Sequence, residues 1–160
     1  MQKYIRCHLV EATPMTRGAY NKKRGWTLPK DENPKDKGYI VKYRDGYVSW
    51  CPQAQFEAAG RPVDGMTFGM AIEAMKQGKK VARAGWNGKG MWLCIPLVEG
   101  PKEIPVSGIW GKPNADYAKQ NGGTVKVMPY ITMKAADGSI VMGWLASQTD
   151  MLADDWVIVE

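Results

Sequence analysis

The sequence predicts an α+β protein, in which one N-terminal helix packs on a small antiparallel β-sheet and a small β-rich module comes before them. Two observations predict this class: apolar residues at helical spacing after residue 67, and short β-prone runs on either side of Asp-Gly or Asn-Gly pairs. A third is the segment 58–65, where glycine and proline separate two apolar patterns. The chain has 160 residues, 44% of them hydrophobic, which is enough to bury a core. We therefore place a domain boundary near residue 63.

Residues 1–63 are predicted to form a small module built on a β-hairpin. Residues 38–44 and 47–50 are rich in β-branched and aromatic side chains, and an Asp-Gly pair joins them. A proline ends the second strand, and residues 53–59 are predicted to form a short helix. Residues 30–37 are charged and lack apolar anchors, so we expect an exposed loop there.

Residues 64–160 are predicted to contain the helix and its sheet. The helix follows Thr67, a favourable N-cap, and ends before Gly78, because a helix C-terminus favours glycine. Residues 99–127 are a long insertion containing glycine and proline, for which we expect no regular structure. The five predicted strands are residues 80–84, 91–95, 130–134, 139–144 and 156–159.

The composition argues against several classes of protein. No apolar run approaches the roughly 18 residues of a membrane span, and the first residues lack the apolar core of a signal peptide. We therefore expect a cytoplasmic protein with no membrane partner. The three cysteines are far apart in the sequence, so they predict neither a disulfide framework nor a zinc site.

The formal net charge of +6 is distributed unevenly along the chain. Residues 1–63 hold 12 Lys or Arg against 6 Asp or Glu, whereas residues 64–160 hold 10 of each. A basic segment attracts nucleic acid, but a charge of this size is also common on solvated surfaces. From charge alone we do not expect nucleic acid to be a partner.

The inventory of reactive side chains favours a binding protein over an enzyme. The single histidine is His8, so the second part of the chain cannot assemble a Ser-His or Cys-His pair. We therefore predict no catalytic residues, no metal ligands and no cofactor.

Two tryptophan-bearing segments, residues 79–90 and 144–156, carry the strongest functional signal. Trp86 and Trp144 are candidates for stacking on a nucleotide base, a contact of about 1 to 3 kcal/mol by analogy with nucleic-acid stacking. The alternative is that both indoles belong to the core. For Trp92 and Trp156, which alternate with apolar neighbours, we favour the core.

Arg83 is the candidate for holding phosphate, because its planar guanidinium can bind two phosphate oxygens. No acid occurs between Met75 and Val98, so we expect a phosphate there to meet unopposed positive charge. The neighbouring lysines are interpreted as solvated charges at the end of the helix.

The polar candidates are predicted to pair with ribose hydroxyls and a base edge. They are Asn87, Ser147, Gln148 and Asp150. The alternative for residues 147–150 is a capped turn before the last strand, which we favour for Thr149.

The ordered motifs resemble those of a small phage-encoded family, the second type of Thoeris anti-defense protein. The motifs that carry the resemblance are Gly85-Trp86-Asn87-Gly88, Pro129 to Lys134, Asp137-Gly138 and Trp144 to Trp156, within residues 66–98 and 128–160.

The resemblance implies a sponge that sequesters, without cleaving, a cyclic ADP-ribose-type signal made by a bacterial TIR enzyme. It implies cyclic ADP-ribose isomers as ligands, with cyclic di- or trinucleotides as further candidates. It also implies a homotetramer that binds ligand between protomers, in the cytoplasm of the infected bacterial host. The insertion at 99–127 and the module at 1–63, which looks like another small phage module, depart from the compact family pattern.

Two other functions compete with this interpretation, and a purely structural phage protein is a third, weaker alternative. One is a metal-dependent cyclic nucleotide hydrolase that uses Asp150, Asp154 and Asp155. The other is a nucleic-acid-binding module on the basic, aromatic hairpin of the first part. The residues of that hairpin surface are Tyr39, Lys42, Tyr43, Arg44, Tyr47 and Trp50.

Overall fold

The computed structural model describes residue 2, residues 7–86 and residues 89–160. The chain forms two compact units, residues 1–62 and residues 63–160. Helices alternate with antiparallel sheets, which confirms the predicted mixture of α and β structure. None of the helices in the described ranges has the length and apolar content needed to span a bilayer.

The N-terminal unit is a three-stranded antiparallel sheet of order β1-β2-β3 with two short helices. The predicted hairpin is present as β2 and β3, with Ile40 paired to Trp50, and residues 30–37 form an irregular loop. The first strand and first helix were not predicted. The elements are β1 (Glu11–Pro14), α1 (Arg17–Arg24), β2 (Gly38–Lys42), β3 (Val48–Pro52) and α2 (Gln53–Ala59).

Trp50 of β3 lies against the backbone of β2 at Gly38. A Cβ atom at Gly38 would lie 2.4 Å from Trp50 Cζ2 and from the Cys51 carbonyl oxygen, so no larger residue fits without a shift. The indole Nε1 donates a hydrogen bond to the Met15 carbonyl over 2.8 Å, and the Arg17 guanidinium carbon lies 4.9 Å from the ring centroid. Trp50 therefore connects β3 to the start of α1.

Two other aromatic residues of the hairpin are also occupied by internal contacts. Tyr39 stacks on Phe56 of α2, with ring centroids 4.4 Å apart, and its hydroxyl donates to Glu57. Tyr43 contacts Tyr47, which is exposed at the end of the hairpin. The aromatic side chains of this hairpin therefore do not form one open surface.

The C-terminal unit has a five-stranded antiparallel sheet of order β10-β4-β5-β8-β9 and a separate two-stranded sheet, β6-β7. Its strands are β4 (Lys80–Arg83), β5 (Trp92–Cys94), β6 (Lys102–Pro105), β7 (Thr124–Val127), β8 (Thr132–Lys134), β9 (Ile140–Met142) and β10 (Trp156–Val159). Its helices are α3 (Phe68–Lys76), α4 (Lys112–Gln120) and α5 (Gln148–Met151), with a 3-10 turn at Val106–Gly108.

Helix α3 lies where the apolar spacing predicted it. Thr67 caps it through a hydrogen bond from the Met70 amide to the threonine hydroxyl, and Gly78 follows the helix with a φ of 77°. The buried core contains residues of α3, β4, β5 and β10. Its members are Met66, Ala71, Ala74, Met75, Val81, Leu93 and Trp156.

The expectation that residues 99–127 lack regular structure is wrong. They contain β6, β7 and α4, with Ile104 paired to Val125. The signal was weak because each strand has only four residues, and in β6 only Ile104 is partly buried. Helix α4 buries only Ala118, so its sequence has little apolar periodicity.

Candidate functional site

Four aromatic rings form one cluster in the C-terminal unit. Trp156 begins β10, Trp86 follows β4, Trp144 follows β9 and Phe68 begins α3. The Trp156 ring centroid lies 5.2 Å from Phe68, 5.4 Å from Trp86 and 6.4 Å from Trp144. Trp86 and Trp144 also meet edge to face, with centroids 6.1 Å apart and ring planes at 69°. The fold thus brings together both tryptophans that the sequence singled out.

Trp86 and Trp144 lie at the margin of the core. Trp156 is completely buried, as predicted, whereas Trp86 and Trp144 are partly buried and pack against the core cluster. Each indole therefore has a packed part and a part open to solvent. The two interpretations of these residues, core and ligand contact, are compatible.

Arg83 makes ion pairs with two carboxylates. Its Nε donates to Asp155 Oδ1 over 2.7 Å, and its Nη1 donates to Asp150 Oδ1 over 3.1 Å. Its Nη1 also lies 3.4 Å from the Thr149 carbonyl oxygen, and only 17% of the arginine side chain is exposed. The expectation of unopposed positive charge at Arg83 is wrong, because acids 67 and 72 residues further along the chain lie beside it.

Asp155 also fixes the turn that leads from β4 to Trp86. Its Oδ2 accepts a hydrogen bond from the Gly85 amide over 3.2 Å. The hydrogen bond from Arg83 is the main cause that lowers the pKa of Asp155 and raises the pKa of Arg83. The turn and the ion pair therefore share one carboxylate.

Asp150 and Ser147 form the capped turn that the sequence allowed. The Asp150 amide donates to Ser147 Oγ over 3.1 Å, the Ser147 amide donates to Asp150 Oδ2 over 3.3 Å, and the serine hydroxyl lies 2.7 Å from the same oxygen. The largest single effect on the pKa of Asp150 is partial burial, which taken alone raises it. The hydrogen bonds from Ser147 and Arg83 outweigh burial, so its pKa is lowered overall.

The capped turn is joined to the aromatic cluster as well as to Arg83. Trp156 Nε1 donates to the Asp150 carbonyl over 2.9 Å. Gln148 is exposed in the first turn of α5, directly after Ser147. Arg83, Trp86, Trp144, Ser147 and Asp150 thus belong to one connected network.

The residues predicted for the site and the residues that the structure brings together differ at three positions. Asn87 lies outside the described residues. The sequence analysis named Asp155 only as a residue of the hydrolase alternative and did not assign Phe68 to the site. The pairing of β10 with β4 places Trp156 opposite Arg83, so Asp155 was predictable only with the strand order in hand.

Two further features bear on alternative sites. Among the residues described, no group of three or more His, Cys, Asp or Glu side chains is arranged to hold a metal ion. A groove of about 640 Å³ in the N-terminal unit contains none of the residues predicted to bind the nucleotide. Its lining is of mixed charge and includes Arg17, Glu32, Asp36, Lys37, Trp50 and Glu57.

Comparison with known proteins identifies the C-terminal unit. Residues 66–159, which are more than half of the chain, match the Thoeris anti-defense 2-like domain. The chain is also similar to Thoeris anti-defense 2 of Bacillus phage SP01, with 38% identity over 95 residues. This match covers 59% of the chain and 94% of the relative. The resemblance inferred from the motifs is confirmed, and the chain belongs to the Thoeris anti-defense 2-like family.

Proposed function

We propose that this protein binds a cyclic ADP-ribose-type signalling nucleotide and sequesters it without degrading it. Membership of the family indicates a phage protein that acts against Thoeris defence. The observation that carries the proposal is the pair of partly exposed indoles, Trp86 and Trp144. They belong to the same network as a polar wall, which we define as Arg83, Ser147, Asp150 and Asp155 and which is held together by hydrogen bonds. Binding would keep the signal from its effector in the cytoplasm of the infected host.

The chemistry of such a ligand matches the chemistry of this neighbourhood. A base offers an aromatic face, and each stacking contact with an indole contributes about 1 to 3 kcal/mol. Gln148 and Ser147 supply amide and hydroxyl groups that suit ribose hydroxyls and a base edge, and we propose that Asn87, which follows Trp86 in the sequence, supplies a second amide. The ligands that we propose are cyclic ADP-ribose isomers, with cyclic di- and trinucleotides as a second group to be tested.

Arg83 and Asp150 have a particular role in this proposal. Arg83 binds Asp150 and Asp155, and Asp150 caps α5, so these side chains hold one another in place before a ligand arrives. A wall fixed in advance reduces the ordering cost of binding. We propose that Arg83 meets the phosphates from this fixed position, within a network in which two carboxylates face one guanidinium.

The protonation states of this network favour retention of the ligand over cleavage. Asp150 and Asp155 both have a lowered pKa, so both are ionised near neutral pH. A general acid or base works best with a pKa near the operating pH. Ser147 is hydrogen-bonded to Asp150. The single histidine of the chain, His8, belongs to the N-terminal unit, so the C-terminal unit has no serine–histidine pair of its own.

The proposed assembly is a homotetramer that binds ligand between protomers. Strand β9 is one of the two edge strands of the five-stranded sheet, and its residues Ile140, Val141 and Met142 are all exposed. Leu145, next to Trp144, is 88% exposed. An exposed apolar sheet edge is a natural site for pairing with another chain, and here we propose a second copy.

Calorimetry tests the proposal directly. The whole chain is titrated with cyclic ADP-ribose, its cyclic isomers, and cyclic di- and trinucleotides. We expect tight binding of at least one cyclic ADP-ribose isomer. The ligand recovered after denaturing the protein should have an unchanged mass. A linear product that accumulates with time would contradict sequestration.

Variants locate the binding site. We expect Trp86→Ala to weaken binding roughly 5- to 150-fold, as follows from the loss of one stacking contact. Trp86→Phe should retain most of the binding and the packing. The matched control is Trp110→Ala, because Trp110 is 77% exposed and lies in the insertion. Equal affinity of Trp86→Ala and the parent would show that the site is elsewhere.

A charge placed on β9 tests the assembly. We expect Val141→Asp to reduce the mass measured by light scattering and to weaken nucleotide binding in parallel. Asp137→Asn, in the exposed turn between β8 and β9, is the control. A monomeric variant with the parent's affinity would place the site within one protomer.

A further inference from the structure

We infer that the last turn of α1, together with Trp26, is a binding surface for single-stranded nucleic acid. The inference concerns the N-terminal unit and does not depend on the nucleotide site of the C-terminal unit. It differs from the hairpin hypothesis drawn from the sequence. In the structure, Tyr39 and Trp50 of the hairpin are held by internal contacts.

Positive charge is concentrated at the end of α1. Lys22, Lys23 and Arg24 form its last turn and are all exposed, and the first turn of the helix has no acid. Within the described part of the chain, none of these three cations forms an ion pair with a carboxylate, whereas Arg17 and Lys42 of the same unit do. The three charges are therefore available to phosphates.

Trp26 is held in a defined position directly after these cations. Gly25 adopts a left-handed conformation with a φ of 69°, and the Trp26 amide donates to the Asn21 carbonyl over 2.9 Å. The Trp26 ring meets Tyr20 edge to face, with centroids 6.0 Å apart. The residue is nevertheless 54% exposed. A fixed indole with more than half of its surface in solvent is suited to contact with a ligand.

Arg24 lies over one face of the indole. Its guanidinium carbon lies 4.7 Å from the Trp26 ring centroid. Aromatic side chains beside arginine are the usual platform for unstacked bases, while neighbouring cations follow the backbone. The combination of one stacking platform and three cations fits a single strand, in which the bases are accessible.

The same features do not suit a lipid surface. An interfacial helix needs an apolar face along its length. Helix α1 buries Tyr20 and Asn21 within the unit, and its exposed residues include Lys22, Lys23 and Arg24. Charge and one indole, without an apolar stripe, are more suitable for nucleic acid than for a bilayer.

Fluorescence anisotropy with a labelled single-stranded DNA of mixed sequence tests the inference on the whole chain. Three phosphate contacts give a slope of about −2 for log affinity against log salt, which is roughly a 20-fold loss between 50 and 200 mM salt. Lys23→Gln should reduce the slope by about 0.7. No binding at the lower salt concentration, or binding that is independent of salt, would overturn the inference.

Aromatic variants test the stacking contact. We expect Trp26→Ala and Trp26→Leu each to weaken binding roughly 5- to 150-fold, since neither side chain has an aromatic face. Far-UV circular dichroism checks their folding, and Trp26→Leu keeps apolar bulk against Tyr20. The controls are Tyr47→Ala and Trp110→Ala, which remove other exposed rings and should leave the affinity unchanged.

Two competing probes complete the experiment. A duplex of the same sequence should bind more weakly than the single strand, and vesicles containing phosphatidylserine should not sediment the protein. Preference for the duplex, binding to vesicles without binding to DNA, or full affinity in both Trp26 variants would each refute the inference.

Discussion

Replacement of Arg83 by alanine tests whether the polar wall is organised by its ion pairs. The substitution removes hydrogen bonds to two carboxylates, and such bonds are each worth about 1.5 to 3 kcal/mol. The Arg83 and Asp150 side chains are 17% and 16% exposed, whereas that of Asp155 is 36% exposed. Solvent therefore screens the ion pair with Asp155 more strongly than the ion pair with Asp150. We therefore expect a loss of about 2 to 3 kcal/mol in the free energy of unfolding.

Calorimetry and urea denaturation measure this loss. In a unit of this size, 1 kcal/mol shifts the melting temperature by about 4 to 8 °C, so the transition should fall by about 10 to 20 °C. Lys76→Ala is the control, because its pair with Glu73 is exposed and contributes less than about 1 kcal/mol. Arg83→Lys should recover little, since an ammonium lacks the two-sided geometry of the guanidinium.

The combination of stability and binding data decides the role of Arg83. Asp155→Asn combined with Arg83→Ala should recover part of the lost stability, because the unpaired carboxylate is removed with its partner. An Arg83→Ala protein that melts like the parent but no longer binds nucleotide would refute our reasoning. That result would make Arg83 purely a ligand contact.

Three further predictions concern other positions. The pKa of Asp155 is lowered in the folded state, so its stabilising effect should be complete above about pH 4 and lost as the pH falls through the lowered pKa. Urea midpoints between neutral and acid pH should show this, with a smaller change in Asp155→Asn. Gly38→Ala should destabilise the N-terminal unit by about 1 to 3 kcal/mol or more, because its Cβ would lie 2.4 Å from the indole and a carbonyl of β3. Limited proteolysis measures this against Gly60→Ala, where the nearest atom is 3.8 Å away. Thr67→Ala should cost about 1 kcal/mol through loss of the N-cap of α3, and an unchanged melting temperature would contradict the cap.

Features encoded by neighbouring residues were predictable from the sequence. The N-cap at Thr67, the apolar spacing of α3 and the strands around Asp45-Gly46 and Asp137-Gly138 are local signals, and the structure contains these elements. The turn predicted at Asn87-Gly88 lies outside the described residues. Helix α1 was missed because its sequence is mostly polar and it buries only Tyr20 and Asn21.

Contacts between distant segments of the candidate site could be predicted only in part. Trp86 and Trp144 stood out by residue type, and the fold places them in contact. The partners of Arg83 could not be found from the charge pattern around it, because Asp150 and Asp155 come from a distant segment. Electrostatic neighbours in a sheet depend on strand order, and strand order is a property of the whole domain.

The division of the chain at residue 62 has a consequence for how such genes change. Each of the three sheets takes all its strands from one side of that position. One genetic crossover there would exchange the N-terminal unit for another without separating any pair of hydrogen-bonded strands. Recombination between phage genomes can therefore test new N-terminal units on an anti-defense domain whose own architecture is inherited whole.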